Sequence, residues 1–361
     1  MKISEFQDKL NTKKIDLAIL FNQKSMSYVP SLFYFTNYSG VGALTIPNIK
    51  APFFLVPKME FDRAKVSIKN TGQIKSIIQL DKKRFLESIS LNLRKRRINI
   101  KKIGLEMDSI SVNTLKSFKK FFKNKQFVDV SELGKELRIT KTPKELGFLK
   151  KSSSLADKIL QKTLKTFKDF KTESDVSSFL EYQTKKLGLN LSFPPIVASG
   201  ANSSMPHYEP QNTKLKPGFC VVDFGVKYRG YCSDMTRTLF IGKPTQKEKK
   251  IYGFVLEVQK NTINQIEEGK LCSELYEFAL NKLGKYKNYF THGLGHGVGV
   301  EIHELPNLTL NSQDKILKNT VFTIEPGIYI PNKFGIRIED TISFQNKTKR
   351  FTKSKKDLLI F

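Results

Sequence analysis

Residues 221–234 read Val-Val-Asp-Phe-Gly-Val-Lys-Tyr-Arg-Gly-Tyr-Cys-Ser-Asp, and this stretch decides the fold of the second half of the chain. Its two apolar-flanked halves predict a β-hairpin that turns at Tyr228-Arg229. Asp223 and Asp234 are equally far from that centre, so the hairpin would place their Cβ atoms about 4.5–5.5 Å apart. Two carboxylates this close repel each other unless one is protonated or a cation lies between them. The stretch therefore predicts a protonated carboxylate or a cation site.

A second acidic pair occurs in residues 321–344, which predict another hairpin. Its loop is centred on Asn332, and Glu325 and Glu339 are equally far from that residue. Pro326 has no N–H and can introduce a bulge into the first strand. If Pro326 does not shift the register, Glu325 and Glu339 face each other in this hairpin as Asp223 and Asp234 would in the first. The order helices, hairpin, helices, hairpin suggests an internal duplication.

The four carboxylates have two possible interpretations. Most acidic side chains are simply solvated at the surface. Here the flanking residues are apolar, as in Cys-Val-Val-Asp-Phe and Phe-Thr-Ile-Glu-Pro. Carboxylates in such surroundings need positive charge nearby, and two divalent ions would balance four of them. The sequence therefore favours a metal site over a solvated acidic surface.

The histidines support this interpretation. All four lie between residues 207 and 303: His207, His292, His296 and His303. Residues 292–299 carry glycine at every second position, and each glycine costs a helix about 1 kcal/mol relative to alanine. The spacing of His292 and His296 is therefore not that of a helical zinc motif. The glycines instead predict a close approach of the backbone to a ligand or metal.

Composition limits the class of protein. The chain has 361 residues, which is enough for two domains, and 39% of them are hydrophobic. No apolar run approaches the roughly 18–20 residues that span a bilayer, and the opening residues lack the apolar part of a signal peptide. Three cysteines with no C-x-x-C spacing fit a reducing compartment. We expect a cytoplasmic protein in which Cys232 is a small packed residue rather than a metal ligand.

The net charge of +28 raises the possibility of a polyanion partner. Basic residues are scattered through the chain, however, as in 94–97 and 119–125. A nucleic-acid site concentrates them on one face and interleaves aromatic residues. We therefore expect no specific nucleic-acid binding and no membrane partner.

The pattern of apolar and polar residues along the chain predicts two domains, 1–138 and 144–361. The first alternates short apolar runs with amphipathic stretches, which indicates an α/β domain. Its predicted strands are 17–21, 44–46, 53–56, 77–80, 103–105 and 127–130, and its predicted helices include 84–93 and 112–122. The second domain is predicted to begin with helices at about 144–167 and 172–188, with Thr142 as N-cap and Pro143 in the first turn.

The motifs of the second domain resemble the pita-bread metallopeptidase family, in its aminopeptidase P and prolidase branch. The similar segments, which occur jointly and in order, are Ile196-Val-Ala-Ser-Gly-Ala-Asn with Pro206-His207, Val222-Asp-Phe-Gly, Ser233-Asp-Met-Thr-Arg237, His292-Gly-Leu-Gly-His-Gly-Val-Gly, Glu301-Ile-His303-Glu, Thr323-Ile-Glu-Pro-Gly and Arg337-Ile-Glu339-Asp. The resemblance implies an α/β N-terminal domain of the creatinase/prolidase type. It also implies an α+β pita-bread catalytic domain with a pseudo-twofold duplication.

The resemblance implies five metal ligands, Asp223, Asp234, His296, Glu325 and Glu339. Asp234 and Glu339 would bridge two divalent ions. An oxygen-rich site with one imidazole suits Mn²⁺ or Co²⁺, and Zn²⁺ is possible.

The remaining implied site residues act on the substrate. Glu325 would also move a proton to the leaving nitrogen. His207, His292 and His303 would position the scissile amide and stabilise its oxyanion. Arg337 would pair with a nearby carboxylate.

The branch implies cleavage of Xaa-Pro bonds in short peptides with proline in second position, by a homodimer. A dipeptidase must recognise a free carboxylate next to the proline, often with arginine. The stretch from Asn307 to Thr320 contains lysines and no arginine, so the sequence favours an Xaa-Pro aminopeptidase over an Xaa-Pro dipeptidase. A more remote alternative is a non-enzymatic pita-bread module that binds through its basic surface.

Overall fold

The computed structural model describes residues 2–24, 28–69, 71–80 and 84–361. The chain forms two compact units, Met1–Leu137 and Arg138–Phe361. In the described part of the chain, every helix is too short or too polar to cross a membrane.

The first unit is built on a mixed six-stranded sheet in the order β4-β3-β2-β1-β5-β6. Its strands are β1 Leu17–Asn22, β2 Gly42–Pro47, β3 Phe53–Pro57, β4 Ser76–Leu80, β5 Lys102–Leu105 and β6 Gln126–Asp129. Its helices are α1 Lys2–Thr12, α2 Pro30–Thr36, α3 Phe61–Lys69, α4 Phe85–Lys95 and α5 Val112–Phe121, and α6 Ser131–Ile139 ends it.

The central strands of this sheet are buried on both faces. In β1, Leu17, Ala18, Ile19 and Leu20 are all inaccessible to solvent, as expected where helices cover both faces of a sheet. The six predicted strands and the two predicted helices are confirmed. Helices α1, α2, α3 and α6 were not predicted, and α2 illustrates why: its sequence Pro-Ser-Leu-Phe-Tyr-Phe-Thr is buried almost all round and carries no polar face.

The second unit alternates helix pairs with antiparallel strands. Its helices are α7 Pro143–Lys165, α8 Glu173–Lys186, α9 Gln246–Asn264 and α10 Cys272–Leu283. Its strands are β7 Asn190–Leu191, β8 Ile196–Ser199, β9 Gly218–Phe224, β10 Val226–Tyr228, β11 Tyr231–Cys232, β12 Met235–Ile241, β13 Gly295–Gly297, β14 Glu304–Leu308, β15 Thr320–Ile324, β16 Gly327–Ile330, β17 Phe334–Arg337, β18 Asp340–Phe344 and β19 Thr348–Arg350.

Capping residues explain where these helices begin. The Thr142 side chain accepts a hydrogen bond from the Glu145 N–H, and the Glu145 carboxylate accepts one from the Thr142 N–H. This capping box satisfies two of the N–H groups that a helix start leaves unpaired. Thr142 is therefore the N-cap of α7 and Pro143 its first residue, as predicted. α8 starts in the same way, with Thr172 as its N-cap.

Each half of this unit contains a helix pair followed by an interrupted hairpin. In the first half the outer strands β9 and β12 pair, and β10 and β11 continue the hairpin towards its turn. In the second half β15 and β18 pair, and β16 and β17 form the tip. The repeated order agrees with the predicted duplication.

The register of the first hairpin differs from the prediction. Asp223 pairs with Thr236, and Asp234 lies two residues before that partner. The turn is Arg229-Gly230 rather than Tyr228-Arg229, and both residues have positive φ, 51° and 83°. Two-residue hairpin turns of this kind need positive φ at both positions, which glycine adopts without strain. The two aspartates are therefore diagonal neighbours on one face instead of a directly opposed pair.

The register of the second hairpin agrees with the prediction. Gly327 pairs with Arg337 on one side of the break and Ile324 with Asp340 on the other, in the same register. Glu325 and Glu339 therefore stand at matching positions. The predicted continuous strands are nevertheless each broken for two residues there, at 325–326 and 338–339. Pro326 accounts for part of this break because it has no N–H to donate.

Candidate metal centre

One cavity of ≈ 480 Å³ in the second unit contains all nine predicted site residues. They are Asp223, Asp234, Glu325 and Glu339, the histidines 207, 292, 296 and 303, and Arg337. Phe193, Pro194, Ile196 and Ile302 add an apolar part to its wall. A concave site that combines an apolar wall with converging polar groups is typical of a small-ligand site.

The acidic residues lie where the two hairpins are interrupted. Asp234 occupies the gap between β11 and β12, and Glu325 and Glu339 occupy the matching gaps of the second hairpin. Asp223 is the second-last residue of β9, beside the remaining gap. Three of the four carboxylates therefore lie on backbone that is outside the strand ladders, and all four line the same cavity.

Three of these side chains come together most closely. Asp234, His296 and Glu339 each offer one ligand atom, and these atoms all lie within 4.8 Å of one another. His296 Nε2 lies 3.4 Å from Asp234 Oδ2 and 3.5 Å from Glu325 Oε1. Its other ring nitrogen, Nδ1, lies 3.1 Å from the carbonyl oxygen of Gly297. A proton on Nδ1 would leave the Nε2 lone pair directed at the carboxylates, which is the usual arrangement of a metal-binding histidine.

Arg337 organises the opposite side of the cluster. Its Nη2 donates to Asp223 Oδ2 at 2.7 Å, its Nη1 to the Tyr329 hydroxyl at 2.7 Å, and its Nε to Thr236 Oγ1 at 3.0 Å. One oxygen of Asp223 is thus occupied by the guanidinium. The other, Oδ1, is buried and has no hydrogen-bond partner among the residues that the structure describes.

Asp234, Glu325 and Glu339 have raised pKa values. Burial raises the pKa of Asp234 to about 6, and the nearby Asp223 adds to this effect. Burial likewise raises the pKa of Glu325 to about 7. The pKa of Glu339 lies well above its usual range because of burial and the charges of Asp234 and Glu325. Each shift reflects desolvation and repulsion between like charges, and either a proton or a cation would relieve both.

The pKa values of His292, His296 and His303 are shifted in two opposite directions. Burial works to lower the pKa of His296, but its carboxylate neighbours Asp234 and Glu325 raise it to about 9. Burial lowers the pKa of His292 to about 3, with help from the charge of Arg337. Burial also lowers the pKa of His303 to about 4. His292 and His303 are therefore neutral imidazoles at neutral pH, able to make directional hydrogen bonds without adding charge.

Three residues of this network were missed by the sequence analysis. Thr236 Oγ1 donates to Glu339 Oε2 at 2.7 Å, and Thr323 Oγ1 donates to Glu325 Oε1 at 3.2 Å. The Tyr329 hydroxyl lies 2.8 Å from His292 Nε2. Strand alternation offered a signal, because Thr236 is two residues after Asp234 and Thr323 two before Glu325, which places each pair on one face.

The alternating glycines allow close contacts within the protein. A Cβ atom at Gly295 would lie 2.0 Å from the carbonyl oxygen of Thr323, and one at Gly297 would lie 2.2 Å from that of Leu305. Neighbouring strands therefore approach on both sides of His296. The short strand β13 that carries His296 confirms that the two-histidine segment is not helical.

One buried and one partly exposed ion pair hold the segment that carries His303. Lys141 Nζ donates to Glu304 Oε1 at 2.7 Å, and both side chains are almost inaccessible to solvent. Arg138 donates to the carboxylate of Glu301. Such pairs stabilise a particular conformation because removal of one partner leaves an uncompensated buried charge.

The residues fit divalent metal ions. Besides Asp223 Oδ1, Asp234 Oδ1 is buried without a hydrogen-bond partner in the described part of the chain. An unsatisfied buried oxygen is costly, and a cation would satisfy both atoms. Four carboxylates and one imidazole are also the donor set of a site for hard or intermediate divalent ions.

Comparison with known proteins agrees with this chemistry. The chain belongs to metallopeptidase family M24, whose model matches residues 147–346, while the model of the creatinase/prolidase N-terminal domain matches residues 2–140. The resemblance, the fold class and the assignment as an enzyme are confirmed, and the protein is a metallopeptidase.

Relatives match over nearly the full length of the chain. An Xaa-Pro dipeptidase from Pyrococcus horikoshii is 33% identical over 365 residues, covering 99% of this chain and 97% of the relative. The solved structure of an Xaa-Pro dipeptidase from Bacillus anthracis has a TM-score of 0.90 at 31% identity and covers 100% of this chain and 99% of its own. That of an X-Pro aminopeptidase from Thermotoga maritima has a TM-score of 0.88 at 26% identity and covers 96% and 98%.

Proposed function

We propose that the protein is an Xaa-Pro dipeptidase whose chemistry resides in residues 144–361. The observation that carries this proposal is the buried cluster of Asp234, His296 and Glu339, whose ligand atoms lie within 4.8 Å of one another. Full-length similarity to Xaa-Pro dipeptidases supports the substrate class.

Five residues would hold two divalent ions. They are Asp223, Asp234, His296, Glu325 and Glu339. Bound ions of this kind polarise a carbonyl and lower the pKa of water to near neutrality. The donor set favours Mn²⁺, with Co²⁺ and Zn²⁺ as alternatives.

Glu325 would carry the proton of the reaction. Its carboxylate takes a proton from the attacking water and returns it to the prolyl nitrogen as the peptide bond breaks. Thr323 Oγ1 donates to its Oε1 at 3.2 Å and so helps to hold the carboxylate in place. The neutral imidazoles of His292 and His303, together with His207, would hold the scissile amide and stabilise the oxyanion that develops on it.

Selectivity for proline would come from the apolar part of the wall. A prolyl nitrogen has no hydrogen and its ring restricts the backbone, so the site need not satisfy an amide donor there. Phe193, Pro194, Ile196 and Ile302 line the cavity beside the acidic cluster. Their surfaces would exclude water from the pyrrolidine ring.

The alternative is an Xaa-Pro aminopeptidase, which the sequence alone favoured. The missing arginine between Asn307 and Thr320 supports it, as does the similarity to the X-Pro aminopeptidase of Thermotoga maritima. We place the dipeptidase first because relatives bearing that name are more similar to this chain in sequence. We also propose that the protein forms a homodimer, that it is located in the cytoplasm and that it has no specific nucleic-acid partner.

Hydrolysis of Ala-Pro and Ala-Pro-Ala by the full chain reconstituted with Mn²⁺, Co²⁺ or Zn²⁺ tests this proposal. We expect a higher kcat/KM for the dipeptide. Cleavage of the tripeptide alone would replace the dipeptidase by the aminopeptidase. Cleavage of Ala-Ala as fast as Ala-Pro would reject selectivity for proline, and hydrolysis of none of these peptides with any metal would reject the proposed activity.

A further inference from the structure

Glu173 is a fully buried carboxylate outside the metal cluster. It is the first residue of α8 and has no exposed surface. Oε1 accepts from the Ser199 N–H at 2.7 Å, from Ser199 Oγ at 2.8 Å and from Asn202 Nδ2 at 3.0 Å. Oε2 accepts from Thr213 Oγ1 at 2.9 Å. A buried carboxylate with this many donors is stabilised in its charged form.

All of these donors belong to one segment, residues 199–213. Backbone contacts join the end of this segment to α8: the Glu173 N–H donates to the Thr213 carbonyl at 3.1 Å, and the Ser174 N–H donates to the Gln211 carbonyl at 3.1 Å. Glu173 therefore connects the first and last residues of the segment to each other and to the helix.

His207 lies in the middle of the same segment and lines the cavity. Asn202, held by Glu173, also donates to the hydroxyl of Tyr208 at 3.0 Å, the residue next to His207. On the cavity side, the Pro206 carbonyl accepts from Arg337 Nη1 at 3.3 Å. The segment is thus anchored at Glu173 on one side and at Arg337 on the other, with His207 between the anchors.

The anchor at Glu173 belongs to a helix that is capped at its start and packed against its neighbours. α8 begins at the capping box of Thr172 and Asp175 and packs through the buried side chains of Val176 and Leu180. Burial raises the pKa of Glu173, but the donors of Ser199 and Asn202 outweigh it and lower the pKa below its usual range. The carboxylate is therefore charged at neutral pH and accepts from all four donors at once.

We propose that Glu173 is a positioning residue that holds segment 199–213 so that His207 faces the substrate. This inference rests on the proposed function, because it gives His207 a substrate-side role. Glutamine has the same shape as glutamate, but its amide nitrogen cannot accept hydrogen bonds. Glu173→Gln would therefore place an amide N–H donor opposite the donors of segment 199–213, which lose an acceptor. The segment would loosen although no cavity residue is removed.

The main test compares Glu173→Gln with Glu145→Gln in the full, metal-loaded chain. Glu145 is a matched control: it is a buried glutamate at the start of α7, and its carboxylate accepts from Thr142 and Tyr231 outside the cavity. We expect kcat/KM for Ala-Pro to fall about 10- to 100-fold in Glu173→Gln, since small misplacements of substrate-positioning groups cost up to about 10²-fold. Glu145→Gln should stay within about 3-fold of the wild type while both variants remain folded by circular dichroism.

A double-mutant cycle separates positioning from general weakening of the fold. If Glu173 acts through His207, adding Glu173→Gln to His207→Ala lowers kcat/KM by less than 3-fold, and both single variants share the same split between KM and kcat. Adding Glu173→Gln to His303→Ala lowers kcat/KM by the same factor as adding it to the wild type. The inference would be overturned if the effect of Glu173→Gln were additive both with His207→Ala and with His303→Ala, because effects of residues acting as a unit are not additive.

Hydrogen exchange gives a readout that needs no substrate. Amides of residues 199–213 should exchange faster in Glu173→Gln than in the wild type or in Glu145→Gln. If Glu173→Gln fails to fold, Asn202→Ala, which removes the link to Tyr208, takes its place in the cycle. An inactive wild type would reject the proposed function, whereas an active wild type with unchanged exchange and kcat/KM in Glu173→Gln would reject this inference alone.

Discussion

At the residue scale, three of the candidate ligands, Asp223, Glu339 and His296, each have one atom held by a neighbouring group. Arg337 occupies one oxygen of Asp223, and Thr236 occupies one oxygen of Glu339. The Gly297 carbonyl lies within hydrogen-bond distance of Nδ1 of His296. These contacts orient the ligand atoms before any ion binds, which reduces the conformational entropy that binding would otherwise cost.

Asp234→Asn should remove metal and activity together. The substitution replaces a carboxylate oxygen, 3.4 Å from His296 Nε2, by an amide nitrogen that carries no negative charge and cannot act as a metal ligand. Since even groups that only orient metal ligands are worth 10–100-fold, we expect kcat/KM to fall by at least about 100-fold. Metal analysis of the purified variant should find fewer bound ions than in the wild type.

Asp157→Asn is the matched control for this prediction. Its oxygens accept from the Lys353 and Ser354 N–H groups outside the cavity, so the variant should lose stability but keep its metal content. Wild-type metal content in Asp234→Asn would contradict the assignment of Asp234 as a ligand.

Glu173 should also give the protein a pH-dependent stability. Its pKa is lowered in the folded state, so its stabilising effect is complete above the pKa of the unfolded chain, about 4.3. The effect is lost as the pH falls through the lower, folded-state pKa. The difference in unfolding free energy between wild type and Glu173→Gln should therefore be largest at pH 6–7 and should shrink below about pH 4.

Urea unfolding of the metal-free proteins at several pH values measures this difference. Metal-free protein is needed because bound ions add their own pH dependence. A difference that grows on acidification would show that the folded state raises the pKa of Glu173 instead of lowering it.

At the scale of elements, the strand that carries His296 tolerates no added side-chain atom. Gly297→Ala would place Cβ 2.2 Å from the Leu305 carbonyl oxygen, so β13 and β14 would have to separate. Overpacking of this kind costs typically 1–3 kcal/mol, and we expect Gly297→Ala to lower the unfolding free energy by at least about 2 kcal/mol. It should also weaken metal binding, because His296 is the preceding residue.

Gly253→Ala is the control for backbone space. Gly253 lies inside α9, and a Cβ atom there would have no neighbour within 4 Å. Alanine is about 1 kcal/mol more favourable than glycine inside a helix, so this variant should be as stable as the wild type or more stable. Equal stability of the two alanine variants in thermal unfolding would show that β13 can shift without cost.

Elements also show how far local sequence rules reach. Thr142 and Pro143 predicted the start of α7 because a helix start is decided by neighbouring residues. The loop centred on Asn332 was predicted for the same reason. The turn of the first hairpin was misplaced by one residue. It was predicted at Tyr228-Arg229, the point equally far from the two aspartates, and this left out Gly230, which supplies one of the two positive φ angles.

At the scale of the whole molecule, metal removal should lower stability. The four carboxylates repel one another in a buried site, and ions that bind only the folded chain stabilise it by about 2.7 kcal/mol at a concentration of 100 times Kd. We expect EDTA to lower the Tm and saturating Mn²⁺ to restore it. Differential scanning calorimetry measures both changes, and Asp234→Asn should respond less than the wild type.

An unchanged Tm with EDTA and Mn²⁺ would indicate that this cavity does not bind the ion. The N-terminal unit provides an internal reference, because its sequence contains no histidine or cysteine. Its unfolding should not depend on the metal if the two units unfold separately.

The sequence by itself determined those features that depend on residues close together in the chain. These include the strand and helix periods, the helix caps and the second hairpin register. Motifs spaced along the chain also identified the metallopeptidase family. Each of these signals is local, so it survives without knowledge of how distant segments pack.

Only the tertiary structure decided which side chains meet. Arg337 holds Asp223 from 114 positions away, and Thr236 reaches Glu339 across 103 positions. Glu173 controls a segment that starts 26 positions later. These partners are chosen by the packing of whole elements against one another, and no rule of periodicity or spacing specifies that packing.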